Sequence, residues 1–212
     1  MDKPARSFPL SLFAFSLLYG GMVTTAGVLG VKQVALGSLA VEAGIFAFLL
    51  LVAMGSAVAE LHGRRAADQL VRWGFVPLIM AAGLIRLVLV LPTDPGMYPP
   101  AIDAFPIVVG QSARMMMAGL ISYGTSQTLN VLIFSKLAHR EGKLVWLRGM
   151  IASVVSQVVD TMLFITISFY GERPILGLMG GQMLTKVVLS VILVPWLITL
   201  FVAVGRKLDS RS

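Results

Sequence analysis

Six apolar stretches, each about as long as a membrane-crossing helix, divide this chain: Phe8 to Gly30, Leu39 to Glu60, Leu70 to Leu91, Ile107 to Phe134, Arg148 to Tyr170 and Ile175 to Val204. A hydrocarbon core of about 30 Å takes about 20 helical residues to cross. Lipid offers no partner to an unpaired backbone amide, and these stretches are far longer than barrel strands, so helices are expected throughout. The composition agrees: of 212 residues 57% are hydrophobic and 13% charged, well outside the range of domains that fold in water. The expected fold is all-α, a polytopic membrane protein whose residues 1–212 form a single six-helix transmembrane domain.

Basic residues set the expected orientation. With six spans, both termini share a side with the second-to-third and fourth-to-fifth connections. That side carries Lys3, Arg6, Arg64, Arg65, Arg72, Lys136, Arg140, Lys143, Arg148, Arg206, Lys207 and Arg211; the other carries Lys32 and Arg173. The positive-inside rule then puts both termini in the cytoplasm. The net charge of +7 is thus spread over short loops rather than gathered beside aromatic residues, and a nucleic-acid partner is not expected. A basic opening followed by an apolar run from Phe8 has the form of a signal peptide. The apolar character continues through Thr24 and Thr25 to Val31 without a small-x-small site, so the first stretch is expected to be retained. On the outer side, Pro92, Pro95, Pro99, Pro100 and Pro106 with Asp94 and Asp103 mark the longest connection. Proline at this density opposes regular helix, which predicts a stiff surface loop, or else an outer lid or partly re-entrant segment over the site.

Two polar signatures recur thirty residues apart inside the apolar stretches. Ser126, Gln127, Asn130 and Phe134 lie in one, and Ser156, Gln157, Asp160 and Phe164 follow at identical spacing in the next. At about 100° per residue the Gln, the Asn or Asp three on and the Phe seven on share a helix face. Amides and a carboxylate in a membrane must meet one another, water or a ligand.

Among ionisable residues, Asp160 and Lys186 lie deepest, and they either form a buried ion pair or serve a ligand. In the second case Asp160 accepts two hydrogen bonds while Lys186 holds it ionised. Gln127, Asn130 and Gln157 would add amide donors and acceptors, a set suited to a flat polar heterocycle; the alternative is that these amides only join helices. Glu42, Arg86 and Arg114 fall near outer ends, where they could neutralise one another or snorkel to the interface. The run Met115 to Met117 either fills core or adapts to a ligand. The candidate binding set is Asp160, Gln157, Gln127, Asn130, Lys186, Arg114 and Glu60.

Enzyme chemistry finds little support. Cysteine is absent, His62 and His139 fall in cytoplasmic connections, and neither a Gly-x-Ser-x-Gly elbow nor a phosphate-binding glycine loop occurs. No metal or cofactor is expected.

The same residues carry a family resemblance. The stretch from Gln111 to Gly171 contains Arg114, the pair Ser126-Gln127, Trp146-Leu147-Arg148 and the run Ser156-Gln157-x-x-Asp160-Thr161. Upstream, Ala59-Glu60-Leu61-His62-Gly63-Arg64-Arg65-Ala66 closes the second stretch. Together these resemble the vitamin-uptake-transporter type family of queuosine precursor transporters. Two positions depart from it: Asn130 stands where the family commonly has Asp, and Ser56 where an Asp is often found one turn before Glu60. The resemblance implies uptake of 7-cyano-7-deazaguanine or its aminomethyl relative across the bacterial inner membrane, for salvage into tRNA queuosine. It implies Asp160 at the donor edge of that small-molecule substrate, with Gln127 and Gln157 at its carbonyl and ring edges. In size and span count the family is also similar to the substrate-binding subunits of energy-coupling-factor transporters, which act with ATPase partners. Those subunits often dock through an Ala-x-x-x-Ala face, absent from the first stretch. A non-transporting membrane scaffold, with polar stripes that only join helices, is the remaining alternative.

Overall fold

A computed structural model of the chain describes residues 9–36, 39–110, 113–138, 144–172 and 174–210. The basic residues Lys3, Arg6, Arg140, Lys143, Arg173 and Arg211, together with His139 and the Gln111 that opens the family-like stretch, lie outside the described residues. Among the described residues, seven helices and one hairpin follow in the order α1 (Leu10–Leu29), β1 (Gln33–Leu36), β2 (Leu39–Glu42), α2 (Gly44–His62), α3 (Arg64–Val90), α4 (Pro99–Val109), α5 (Ala113–Leu137), α6 (Val145–Phe169) and α7 (Leu176–Asp209). Five of these helices are individually long and apolar enough to cross a membrane; α4 and α5, bent by 46°, make a sixth when counted as one broken span. The protein is an all-α polytopic membrane protein, with a small antiparallel hairpin added at one end.

The hairpin and α4 depart from expectation. Leu39 to Glu42 does not begin the second span: it forms β2, in register with β1 so that Gln33 faces Glu42 and Val34 faces Val41. Leu39, Ala40 and Val41 are as apolar as the helix that follows, and hydropathy alone cannot separate a short apolar strand from a span. The proline-rich connection contains a helix, because Pro99 and Pro100 occupy its first two positions, where the missing N–H would have had no partner. Only Pro106 lies within it.

α5 runs along α6 and α6 along α7, while α2 packs at the centre against α1, α3, α5 and α7. Twelve α2 residues are buried, among them Leu51, Val52, Met54 and Val58, which fits a helix surrounded by protein rather than lipid. α3 instead exposes Trp73, Ile79, Met80, Leu84 and Leu87, an apolar surface suited to acyl chains. Where α1 begins and α7 ends, the Asp209 carboxylate accepts the Ser11 backbone N–H (2.9 Å) and the Ser11 hydroxyl (2.7 Å). An acid on α7 thereby satisfies an orphan donor in the first turn of α1.

Candidate functional site

The polar faces of α5 and α6 meet. Ser126, Gln127 and Asn130 on α5 and Ser153, Ser156, Gln157, Asp160 and Thr161 on α6 are all buried, the expected result of two stripes at equal spacing on adjacent helices. Lys186 approaches from α7, and its Nζ lies 3.4 Å from Asp160 Oδ2. Ser126 Oγ donates to the other oxygen, Oδ1, at 3.3 Å. Each carboxylate oxygen can accept more than one hydrogen bond, so Asp160 retains capacity beyond these two partners.

Asp160 and Lys186 both line a cavity of about 740 Å³. Its wall extends to the β1–β2 hairpin and the end of α4, with Gln33, Glu42 and residues 107–110. Phe48, Phe164, Phe169, Met115 and Met116 contribute apolar surface. The methionine run therefore divides: two members face the cavity, and Met117, 55% exposed, faces outward. A mostly apolar cavity with a few convergent polar groups is the usual form of a small-molecule site.

Of the seven candidate residues, the structure brings four close together. Besides Asp160 and Lys186, these are Gln127, next to Ser126, and Gln157, one turn before Asp160. Both glutamines are fully buried without lining the cavity, and neither amide nitrogen nor oxygen has a hydrogen-bond partner among the described residues. The other three are engaged elsewhere. Asn130 Nδ2 donates to the Val52 carbonyl (3.3 Å) and to Ser56 Oγ (3.2 Å), joining α5 to α2. The two positions that depart from the family resemblance thus touch each other. Arg114 donates to the carbonyls of Ile167 and Tyr170 and pairs with Glu172 at 3.1 Å, fastening the start of α5 to the end of α6. Glu60 pairs with Arg148 at 2.8 Å, and the Arg148 guanidinium lies 4.3 Å from the centre of the Phe134 ring.

The expected neutralisation among Glu42, Arg86 and Arg114 is not what these side chains do. Arg114 turns to α6, Arg86 donates to Met116 Sδ at 3.5 Å, and Glu42 accepts from Gln182 Nε2 at 3.3 Å. Glu42 and Gln182 line the cavity although neither belongs to the candidate binding set. The signal was present for one of them, since Gln182 stands four residues before Lys186 and so on the same face of α7.

His62 at the end of α2 is joined to Ser11 (Oγ to Nε2, 2.7 Å) and lies 3.6 Å from Asp209. The serine hydroxyl sits between acid and imidazole and donates a hydrogen bond to the acid. A nucleophilic triad needs the imidazole in the middle, accepting from serine. This cluster is a clasp among three helix ends.

No solved structure matches the chain. Over 142 residues it is 28% identical to a Bacillus subtilis (strain 168) protein named "Probable queuosine precursor transporter", a match covering 65% of this chain and 61% of that one. The chain therefore aligns with about three fifths of that relative's length. The family model described as "Putative vitamin uptake transporter" matches residues 42–200, a span that holds the hairpin's Glu42, Asp160 and Lys186, and this protein belongs to that family.

Proposed function

We propose that this protein carries a queuosine precursor, 7-cyano-7-deazaguanine or 7-aminomethyl-7-deazaguanine, across the bacterial inner membrane for salvage into tRNA. It acts without chemistry on its substrate, and both termini face the cytoplasm, in keeping with the excess of Lys and Arg at that end. The observation that carries the reading is Asp160, a residue 7% exposed overall, in the wall of a cavity lined mainly by the helices. An ionisable group costs too much in that setting to serve only as filler.

A deazaguanine presents a ring N–H and an exocyclic amine on one edge, which a single carboxylate accepts together. Its carbonyl oxygen needs a donor; Gln127 and Gln157 hold unpartnered amides behind the cavity wall on the two helices that carry Ser126 and Asp160, and would have to turn toward the ligand to supply it. Phe48, Phe164 and Phe169 supply apolar surface for a flat ring system. The named B. subtilis relative lends the substrate class.

The test uses a bacterial strain unable to make queuosine precursors and lacking its own transporter, fed limiting 7-cyano-7-deazaguanine or 7-aminomethyl-7-deazaguanine. Queuosine in tRNA, read by its retardation on a boronate gel, should appear with the wild type and vanish with Asp160→Asn at equal abundance. Well-expressed wild type giving no modification with either precursor would refute the proposal.

A further inference from the structure

Among the described residues, three charged side chains line the cavity: Asp160, Lys186 and Glu42. Asp160 and Lys186 neutralise each other at 3.4 Å. Glu42 has no ion pair among the described residues; its one side-chain hydrogen bond is with a neutral amide, Gln182 Nε2. Among the described residues, the charge of Glu42 is therefore the one charge of the cavity wall without an ion-pair partner. Arg86 reaches the same region from α3 without lining the cavity, its guanidinium donating to Met116 Sδ.

Position sharpens the charge count. Glu42 ends β2, opposite Gln33, and the backbone N–H of the next residue, Ala43, donates to the Lys32 carbonyl at 2.8 Å. The carboxylate is thus carried on a hydrogen-bonded hairpin rather than a free loop. Its partner Gln182 stands one helical turn before Lys186, so along α7 the two polar levels are separated by about 6 Å. A ligand whose donor edge meets Asp160 would extend its opposite end toward the hairpin and Glu42.

From this placement we infer that Glu42 is a specificity-determining residue, selecting a ligand that carries a primary ammonium group at the end remote from Asp160. The inference rests on the proposed function and decides between its two precursors: the protonated aminomethyl group complements Glu42, whereas the neutral nitrile leaves that carboxylate uncompensated. Partial withdrawal of Glu42 from water strengthens the preference, because an unpaired carboxylate in a low-dielectric wall is costly and an ammonium relieves that cost.

Thermal melting of the purified full-length protein in detergent, titrated separately with the two deazaguanines, tests this. The wild type should bind the aminomethyl ligand about tenfold more tightly, the effect of one charge-assisted hydrogen bond. That advantage should shrink as salt rises, while nitrile affinity stays level. Glu42→Gln should erase the advantage by weakening the aminomethyl ligand selectively, with a cooperative melting transition in the absence of ligand reporting that the variant is folded; Glu42→Asp should retain part of it. Equal affinity of the wild type for both ligands overturns the role of Glu42 and leaves the transport reading standing. So does an equal loss of both ligands in Glu42→Gln, or a preference that follows sodium concentration rather than ligand charge. Binding of neither ligand by the wild type overturns both.

Discussion

Lys186 Nζ on α7 and Asp160 Oδ2 on α6 lie 3.4 Å apart with side chains 7% and 9% exposed. An ion pair so withdrawn from solvent is asymmetric in its energetics. Removing one partner strands the other charge, typically at about 3–5 kcal/mol, while replacing both can be nearly neutral. Asp160→Asn and Lys186→Met should each lower the melting temperature markedly, and the double variant should recover most of that loss. Ligand-induced stabilisation should not return with it, because the carboxylate that accepts the deazaguanine edge is gone. A double variant that binds like the wild type would reduce the pair to a packing element.

Gln127 and Gln157 invert this pattern. A buried amide without a partner costs the fold about 1–3 kcal/mol, so Gln127→Leu and Gln157→Leu should be neutral or stabilising in the ligand-free protein. The same changes should abolish the melting shift produced by a deazaguanine. Asn130→Ala serves as the contrast. It removes bonds to Val52 and Ser56, should cost about 1 kcal/mol as interhelical hydrogen bonds do, and should leave the ligand response intact. Destabilised glutamine variants that still respond to ligand would assign those amides to helix joining.

The spans and the Asp160–Lys186 meeting were legible because both rest on local rules. About 20 apolar residues cross a bilayer, and polar residues at helical spacing on neighbouring spans turn toward each other. Asn130 shows where that logic stops. It shares a helix face with Gln127, yet α2 lies close enough for Asn130 to bond Ser56, and nothing in the spacing reveals which neighbour a stripe will meet. Glu42 illustrates a second limit. Its strand is apolar and continuous in hydropathy with α2, so pairing with Gln33 depends on a chain reversal that periodicity does not register. Arg114 and Glu60 belong to motifs that suggested ligand contact. They hold helix ends together, a role equally demanding of particular residues.

Arg148 illustrates that demand. It is 4% exposed, pairs with Glu60 at 2.8 Å and spreads its guanidinium over Phe134, so α2, α5 and α6 converge on one planar cation. Lysine keeps the charge but not the flat stacking surface or the fork of donors. Arg148→Lys should therefore lower the melting temperature, by about 1–2 kcal/mol from the lost stacking, with ligand affinity little changed. Equal stability of the two proteins would show that charge alone matters there.

Tyr123 Oη donates to Tyr19 Oη at 3.1 Å in the protein interior. Tyr123 lines the large cavity, and Tyr19 lines a second cavity of about 400 Å³ between α1 and α3, so this hydroxyl pair stands in the wall between the two. Gly74 makes room for it: a Cβ there would fall 2.5 Å from Tyr123 Oη and 2.8 Å from Tyr19 Cε1. Gly74→Ala should therefore overpack the wall and cost about 1–3 kcal/mol, despite alanine's better helix propensity. Tyr19→Phe and Tyr123→Phe each leave one buried hydroxyl without its partner and should destabilise by about 1–3 kcal/mol, whereas the double Phe variant should melt near the wild type. Chemical or thermal unfolding of the four proteins in detergent reads the cycle directly. Additive losses in the double variant would mean that the hydroxyls are stabilised independently, not by each other.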